Sequence, residues 1–420
     1  MSLYSGGGKR LAKSRGGKRL CAQKRRRAPR VLGLLVLCAA LLTGGALCWQ
    51  RMVPSGAPDS SGSDTNALPE QSPPTQELSE ELPAEAPDDD TVLLSFAGDC
   101  TLGVEHTSWG KSGTFPAVVG TDYAYPFAGV RDLFIRDDFT FVNLEGALTD
   151  YNVPVEKEYR FRGPPAYGQI LLKGGIDAVT LANNHSGDYG KTGLADTRQV
   201  LSDLGIAAGG DKETFLYTTD RGLTIGVYTA YHIGKAEVRQ AVDDLRAQGA
   251  QIIIAAFHMG TEGSYSPTAW QKEICRYAAE CGAHIVYNSH PHVLQPMERW
   301  GESVILYSMG NFCFGGNRNP SDKDTAVVQI AVQLREDGTA EVTDVTTVPC
   351  RVSSRSDRND YQPTPYEADS KEAARVQSKL DGSFRPPVVQ TPEQTPSQGT
   401  GQTAEAVPVA AQAGAAAETA

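Results

Sequence analysis

Six short apolar runs alternate with amphipathic stretches between Thr91 and about Val352, and this alternation constrains the fold more than any other feature of the chain. The runs are short and rich in β-branched and aromatic residues, as buried strands are. They lie at 92–97, 139–142, 178–181, 251–257, 285–287 and 303–308. The helical windows lie at 167–174, 193–204, 235–248 and 267–281. The alternation predicts an α/β domain of about 260 residues with its strands between helices. A hairpin of 327–334 and 340–348, joined through Asp337-Gly338, closes it.

Polar side chains with ligand chemistry follow five of these six runs. They are Asp99, Glu145, Asn184 with His185, His258, and the pair His290 and His292. Because ligands gather at the carboxyl ends of strands in an open α/β sheet, we expect these side chains to converge. Pro291 stiffens the backbone between the last two histidines, which could serve one metal ion or two adjacent ions. The mixture of carboxylate, amide and imidazole suits one or two divalent ions such as Mn, Fe or Zn.

Each of these residues also has a simpler interpretation. An Asp after a strand often caps a turn, as Asp99 would, and a turn glutamate on the surface is the ordinary case for Glu145. Asn184 enters left-handed turns readily, and a lone histidine such as His258 is commonly a satisfied core residue. The His-x-His pair could be two exposed loop residues. If these residues formed no common site, every one of these simpler explanations would have to be true at once, at corresponding strand ends.

The two ends of the chain differ in charge. Residues 1–30 carry eleven Lys or Arg and no acid, which leaves a formal net charge of about -22 for the rest of a chain whose total is -11. Residues 31–49 are uncharged and long enough to cross a bilayer as one helix. By the positive-inside rule the basic tail is cytoplasmic and the main domain lies outside a single-pass anchor in the cell membrane. A cleavable signal peptide is the alternative. We expect no nucleic-acid partner.

The segments that flank the domain are poor in residues that could form a core. Residues 50–90 are rich in Pro, Ser and acidic residues and predict a disordered stalk, and residues 353–420 predict a mostly disordered, low-complexity tail. Five cysteines follow the anchor, so one or two disulfides are possible but no complete framework is. These cysteines are Cys100, Cys275, Cys281, Cys313 and Cys350.

Six motifs, taken in their order along the chain, resemble the capsule-biosynthesis CapA family. They are Gly98-Asp99, Asn143-Leu144-Glu145, Leu181-Ala182-Asn183-Asn184-His185 with Asp188-Tyr189-Gly190, His258-x-Gly260-x-Glu262, Ser289-His290-Pro291-His292-Val293-Leu294-Gln295 and Tyr307-Ser308-Met309-Gly310-Asn311-Phe312. This family is associated with poly-gamma-glutamate synthesis and export and is similar to calcineurin-like metallophosphoesterases. The resemblance implies a two-sheet sandwich flanked by helices, with four layers in the order α/β/β/α.

The resemblance also implies a metal site. Its ligands would be Asp99, Glu145, Asn184, His258, His290 and His292. One motif departs from the family, which usually has Gly-His-His-Pro-His where this chain has Asn288 and Ser289 before His290. The first imidazole of that phrase is therefore missing, while the His-x-His pair is present.

The mechanism that this resemblance suggests uses two further groups. His185, oriented by Asp188 three residues later, is the candidate proton donor to a leaving group. Arg162 could clamp an anionic group of the substrate through its planar fork, or it could be a solvated loop arginine.

Three classes of function remain open from the sequence. The first is a metal-dependent hydrolase that acts at the cell surface on a phosphoester or a gamma-glutamyl amide. The second is a non-catalytic subunit of a capsule synthesis or export complex, and the third is a module that binds an anionic cell-surface polymer without turnover.

Overall fold

The computed structural model describes residues 90–386, which form two mixed β-sheets stacked face to face, a small third sheet and flanking helices. Seventeen strands occur within this range. They are β1 (Thr91–Thr101), β2 (Val104–Glu105), β3 (Phe139–Leu144), β4 (Ala147–Leu148), β5 (Phe161–Gly163), β6 (Ala178–Thr180), β7 (Ala207–Gly209), β8 (Glu213–Thr218), β9 (Thr224–Ala230), β10 (Ile252–His258), β11 (Ile285–Ser289), β12 (Met297–Trp300), β13 (Ser303–Leu306), β14 (Asn311–Phe314), β15 (Asp324–Leu334), β16 (Ala340–Arg351) and β17 (Thr364–Pro365).

Seven α-helices lie within the same range. They are α1 (Phe115–Val119), α2 (Arg131–Phe134), α3 (Gly168–Gly174), α4 (Gly190–Leu204), α5 (Lys235–Ala247), α6 (Ala269–Cys281) and α7 (Lys371–Leu380). The best-defined start is that of α6, where Thr268 and Gln271 form a reciprocal capping box. The helix ends at Gly282, which has a left-handed backbone.

Both large sheets are mixed, with antiparallel strands on one side of the parallel strands in the first sheet and at both edges of the second. The first sheet has the order β17-β16-β15-β1-β3-β6-β7, and β14 pairs with the end of β1. Strands β1, β3, β6 and β7 are parallel, whereas β15 is antiparallel to β1. The second sheet has the order β12-β13-β11-β10-β9-β8, with its four inner strands parallel. The parallel centres bring the carboxyl ends of β1, β3, β10 and β11 towards one edge of the sandwich.

Three hydrophobic clusters define four layers. The cluster between the sheets contains Phe96 and Phe141 from the first sheet and Ile254 and Tyr287 from the second. The outer face of the first sheet packs against helices α3 and α4, and the outer face of the second packs against α5 and α6. The predicted two-sheet sandwich with α/β/β/α layers is therefore confirmed.

The sequence periodicity located most of the elements. Each of the six apolar runs coincides with a strand, and the four amphipathic windows coincide with α3, α4, α5 and α6. The predicted hairpin forms from β15 and β16, with Gly338 at a positive φ of 82° in the turn. The five cysteines after the predicted anchor are free and buried.

The sequence-based end of the domain at residue 352 requires correction. Strand β17 pairs with β16, and helix α7 buries Val376 and Leu380 in the cluster between the sheets. Lys379 of this helix is 3% exposed and lies 2.7 Å from Asp324 at the start of β15. The folded unit therefore continues past residue 352, because the apolar side of α7 covers one end of the sandwich.

The predictions for both ends of the chain fall largely outside the described residues. The basic tail 1–30, the apolar segment 31–49, the stalk up to residue 89 and the tail from 387 onwards lie outside them. Between residues 90 and 386, every helix is too short or too polar to span a bilayer.

Candidate metal centre

The strand ends bring five of the predicted site residues to one edge of the sandwich. Asp99 lies near the end of β1 and Glu145 just after β3, and both are buried. His258 ends β10, and β11 leads directly to His290 and His292. The first two residues come from one sheet and the three histidines from the other. The site therefore lies across the seam between the sheets.

One hydrogen bond between the sheets and one close approach of two backbones shape this seam. The hydroxyl of Tyr287 in β11 donates to the carbonyl of Ala97 in β1 at 2.9 Å. Gly98 follows, and a Cβ atom there would lie 2.0 Å from the carbonyl oxygen of Gly310. The missing side chain of Gly98 thus allows the chain before β14 to pass close to β1. This close approach of the two backbones places Asp99 opposite Asn311 where β1 pairs with β14.

Glu145 lies at the centre of the cluster. Its Oε1 atom is 3.7 Å from Nε2 of His292 and 3.9 Å from Nε2 of both His185 and His258. These distances are too long for hydrogen bonds. The same Oε1 is buried and has no hydrogen-bond partner among the described residues. Nitrogen and oxygen ligands lie about 2 Å from a divalent ion, so atoms 3.7 to 3.9 Å apart leave room for a cation between them.

The protonation of the cluster indicates a shortage of positive charge. Burial raises the pKa of Glu145 to about 8, although His292 opposes this shift. Burial alone would lower the pKa of His292, but Glu145 and Asp99 outweigh it and raise the pKa to about 10. Without another cation, the imidazolium of His292 is the charge that offsets the buried carboxylates. A divalent ion would supply that charge instead, so the residues fit a metal.

The potential ligands form two adjacent groups. Asp99, Glu145 and His258 make a buried group, and Glu262, His290 and His292 make a more exposed one, with ligand atoms within 4.8 Å of one another in each. The two groups meet where Nδ1 of His292 lies 3.1 Å from Oδ2 of Asp99. Nδ1 of His290 is buried and has no partner within the part of the chain that the structure describes. This arrangement suits two ions better than one, with the second open to solvent.

Asn184 also reaches the cluster, where its Oδ1 lies 2.7 Å from Nε2 of His258. Burial and the neighbouring histidines keep the pKa of His258 well below its usual value. His258 is therefore neutral, which is the form that binds a metal. The six residues predicted as ligands all lie in this cluster.

Amide and hydroxyl groups behind the cluster fix its geometry. Asn143 donates to Oδ1 of Asp99 at 2.9 Å and to Oε2 of Glu145 at 3.1 Å, and it accepts a hydrogen bond from Asn183. The hydroxyl of Ser289 lies 2.8 Å from Nδ1 of His258. Ser289 stands where the resemblance led us to expect an extra histidine, and it positions an imidazole instead of supplying one. Outer contacts of this kind hold ligands in orientation.

His185 is held by two charged neighbours. Its Nδ1 lies 2.7 Å from Oδ2 of Asp188, and Lys157 donates to Oδ1 of the same carboxylate at 2.8 Å. The ring of Phe161 lies 4.5 Å from the imidazole. With Nδ1–H donated to Asp188, the Nε2 atom faces Glu145 at 3.9 Å. The expected partnership of His185 with Asp188 therefore has the geometry of an oriented imidazole.

Arg162 is the predicted site residue that the fold does not bring to the cluster. Its guanidinium lies 4.4 Å from the ring centre of Trp109 and donates to the carbonyl of Thr149 at 3.0 Å. Alternation along β5 explains the difference, because Phe161 faces His185 and the next side chain faces the opposite way. Within residues 90–386 it has no contact with the potential ligands, and we assign it no part in the centre.

Two residues of the centre were not among the predicted ligands. Glu262 lies in the motif His258-x-Gly260-x-Glu262, so its spacing from a strand-end histidine was the signal that could have found it. Lys157 lies in the irregular stretch 149–160, and no pattern in the sequence marks it. The sequence analysis selected polar residues that directly follow apolar runs, and this criterion cannot find a lysine inside a loop.

The backbone at the two adjacent histidines is strained. The φ angles of His290 and His292 are 102° and 57°, a region that residues other than glycine rarely adopt. Such strain persists where the surrounding structure imposes it, and it is common at functional sites. Here it turns two side chains from one short loop towards the same group of ligands.

Comparison with known proteins connects this chain with capsule synthesis. Residues 93–316 match the family model described as bacterial capsule synthesis protein PGA_cap. The chain is 27% identical over 312 residues to the PGA biosynthesis protein CapA of Bacillus subtilis (strain 168), covering 67% of this chain and 76% of that protein. It is 29% identical over 254 residues to the capsule biosynthesis protein CapA of Bacillus anthracis, covering 53% and 60% respectively.

Similarity to solved structures is more distant. The protein TT1561 of Thermus thermophilus is 10% identical, with 60% of this chain and 99% of that chain covered and a TM-score of 0.35.

Proposed function

The chain belongs to the bacterial capsule synthesis protein family PGA_cap, and from this premise we propose that it is a metal-dependent hydrolase in the synthesis or export of an anionic capsule polymer such as poly-gamma-glutamate. The bond would be a phosphoester or a gamma-glutamyl amide. The observation that carries the hydrolase is the orphaned Oε1 of Glu145, surrounded by three imidazole nitrogens at 3.7 to 3.9 Å. An unpaired buried carboxylate oxygen is costly, and a bound cation would offset that cost.

The residues divide into ligands and groups that position them. Asp99, Glu145, His258 and Asn184 would hold one ion, and His290 and His292 with Glu262 would hold a second. A bound Mn, Fe or Zn ion would polarise the scissile group and lower the pKa of water from near 16 towards about 7. Glu262 is exposed and the side chain of His292 is 18% exposed, so substrate would approach from the side of this second group.

His185 would move the proton that the leaving group needs. Asp188 accepts from Nδ1, so the imidazole presents Nε2 to the centre and would hold its mobile proton there. Lys157 donates to Asp188 and to the carbonyl of Asn184, which keeps the carboxylate and the His185 loop in place. The positive charge of Lys157 beside the metal centre would also attract an anionic chain to an ectodomain whose overall charge is negative.

The test is to purify the full chain, measure its bound metal, and assay a generic phosphodiester and poly-gamma-glutamate with added Mn. We expect turnover that is lost in Asp99→Ala and His290→Ala and kept in Asp344→Ala, a matched change at an exposed position in β16. A metal-free and inactive chain that still restores capsule export to a deletion strain would instead show a non-catalytic subunit. Binding of the polymer without turnover would show a binding module.

The membrane location is a further part of the proposal. We infer that residues 31–49 anchor the chain, that the basic tail is cytoplasmic and that the domain faces outwards, where it meets the polymer or the other capsule subunits. Protease treatment of intact cells should then release the domain, and protection of the domain would contradict the outward location. The mass of the mature chain distinguishes an uncleaved anchor from a removed signal peptide.

A further inference from the structure

A pocket of about 530 Å³, separate from the metal centre, lies between helix α7, strand β17 and the loop that follows β16. Four cationic side chains line it, namely Lys323, Arg351, Arg355 and Arg375. None of these residues belongs to the candidate metal centre. The prediction of a disordered tail after residue 352 hid this pocket from sequence analysis, because β17 and α7 form one of its walls.

The pocket lies at the same edge of the sandwich as the metal centre. Strand β15 is antiparallel to β1, and Phe96 pairs with Val328, so the start of β15 at Asp324 lies beside the end of β1 that carries Asp99. Tyr265, from the loop that also carries Glu262, lies 5.0 Å from the ammonium of Lys379 in α7. One extended chain that lies along this edge would therefore meet both places.

Several of the charges around the pocket neutralise one another. Arg375 makes two hydrogen bonds of 2.7 Å to Asp324, and Lys379 lies 2.7 Å from Asp322. These pairs fix the wall of the pocket and leave little charge to offer a ligand. Arg355 is similarly engaged, in an exposed pair with Asp357 at 2.8 Å.

Arg351 is different, because no carboxylate between residues 90 and 386 forms an ion pair with it. Its Nε is buried and has no hydrogen-bond partner within residues 90–386, and its guanidinium lies 6.0 Å from the ring centre of Tyr366. Tyr366 is itself fixed by a hydrogen bond of 3.0 Å to Asp324. A half-buried guanidinium that lines the pocket without a paired carboxylate can bind an anion through the part of its planar fork that faces the pocket. Lys323 adds a second cation, whose ammonium donates a long hydrogen bond of 3.4 Å to the carbonyl of Ser356.

The acidic lining indicates which kind of anion fits. Glu367 and Glu372 are exposed and also line the pocket. Carboxylates there would repel a dianionic phosphate, but they would accept hydrogen bonds from the amide N–H groups of a peptide. The guanidinium fork of Arg351 pairs equally well with a single carboxylate. A ligand that alternates carboxylates with amide N–H groups offers an ionic partner to the cations of the pocket and hydrogen-bond donors to its carboxylates.

We propose that this pocket is a second binding site, which holds a carboxylate-bearing, amide-linked chain with Arg351 as its anchor. The site does not depend on hydrolysis at the metal centre, and it would keep an acidic chain at the edge where that centre lies. Its existence can therefore be tested on protein that has been stripped of metal.

The experiment is calorimetric titration of the metal-stripped full chain with penta-glutamate and, separately, with inorganic phosphate. We expect penta-glutamate to bind and its affinity to fall at least tenfold in Arg351→Gln and several-fold in Lys323→Gln. Arg299→Gln is the matched control, since Arg299 is exposed on β12 outside the pocket and loses the same charge. Its affinity should equal that of the parent.

Two results would overturn the proposal. Equal affinities in the Arg351 and Arg299 variants would show that the pocket does not bind the peptide. Phosphate that binds more tightly than penta-glutamate, with the same dependence on Arg351, would show an anion site of the wrong class. Thermal unfolding of each variant guards against a loss of affinity through misfolding, and Lys323→Gln keeps the test available if Arg351→Gln does not fold.

Discussion

Nε2 of His292 lies 3.7 Å from Oε1 of Glu145, while Nδ1 of the same ring lies 3.1 Å from Oδ2 of Asp99. One imidazole from the second sheet is thus placed between two buried carboxylates, which come from the neighbouring strands β1 and β3 of the first sheet. The contact with Asp99 is a hydrogen bond, and the contact with Glu145 is not. The longer separation is where a cation fits, and it gives the metal centre a test that needs no substrate.

Replacing Glu145 by Gln should have opposite effects on the stability of the metal-free chain and on the stabilisation by metal. Burial raises the pKa of Glu145 to about 8, so above that pH the metal-free chain carries a buried negative charge whose Oε1 has no hydrogen-bond partner among the described residues. Gln removes this charge, and the metal-free variant should then be more stable than the parent by about 1 kcal/mol. Added Mn should raise the melting temperature of the parent and have little effect on the variant. Glu336→Gln, in the exposed turn after β15, is the matched control and should respond to Mn as the parent does. An unchanged Mn response in Glu145→Gln would remove Glu145 from the centre.

Replacing Asp188 by Asn should change the tautomer of His185. The carboxylate accepts from Nδ1, whereas an amide can donate to it and so move the proton to Nε2. The neutral amide also fails to stabilise a ring that carries protons on both nitrogens, which is the form that donates a proton from Nε2. We expect nitrogen NMR shifts of His185 to report the change, with turnover reduced at least 100-fold and metal content unchanged. Asp211→Asn is the matched control, because Asp211 holds the exposed His232 at the same distance of 2.7 Å. Full activity in Asp188→Asn would exclude His185 as the proton donor.

Asp137 should make stability depend on pH. Burial raises its pKa to about 7, since Thr140 hydrogen-bonds to Oδ2 but Oδ1 is buried and lacks a partner in the described range. The unfolded chain releases this proton near pH 4 and the folded chain near pH 7, so the contribution of Asp137 becomes less favourable as pH rises between these values. Asp137→Asn should therefore gain about 2 kcal/mol over the parent between pH 5 and pH 8.

Urea unfolding at the two pH values measures this difference. For Asp150→Asn, at an exposed position, the difference in the free energy of unfolding between variant and parent should be the same at both pH values. If the difference in unfolding free energy between Asp137→Asn and the parent did not grow with pH, the raised pKa of Asp137 would be contradicted.

Truncation should show where the folded unit ends. A chain that stops at residue 352 loses Arg375 and Lys379 and leaves Asp324 buried without its two cationic partners. Losing the partners of a buried charge costs about 3–5 kcal/mol, and the contacts of Val376 and Leu380 are lost as well. A chain that stops at Pro386 keeps every described residue and should melt at the same temperature as the full chain. Equal melting temperatures for the two truncations would show that α7 contributes nothing.

The fold was predictable where burial leaves a local pattern. Strands such as β10 and β11 are apolar along their whole length because helices cover one face and the other sheet covers the second. Helix α7 was missed because it lies beyond the last apolar run, in a stretch rich in charged residues, and only four of its residues are buried. Strand β14 pairs with the end of β1 more than 200 residues away, and no local pattern encodes that pairing.

The site was predictable to the extent that it consists of strand ends. Asp99, Glu145 and His258 were found because each follows an apolar run, and parallel strands bring such residues together. Arg162 was chosen by residue type alone, and the alternation along β5 turns it away from the cluster. Asn143 was hidden because it lies inside a strand, where its buried amide is explained only by the two carboxylates beside it.

The hydrogen bond from Tyr287 to Ala97 has a consequence for ion selectivity. It joins the sheets two residues before Asp99 and three residues before His290, so it sets the gap across which the two halves of the centre face each other. Ions that differ in radius by a few tenths of an ångström need different gaps. Core substitutions that spread or compress the sandwich should therefore change which metal the protein prefers, even when they lie far from every ligand.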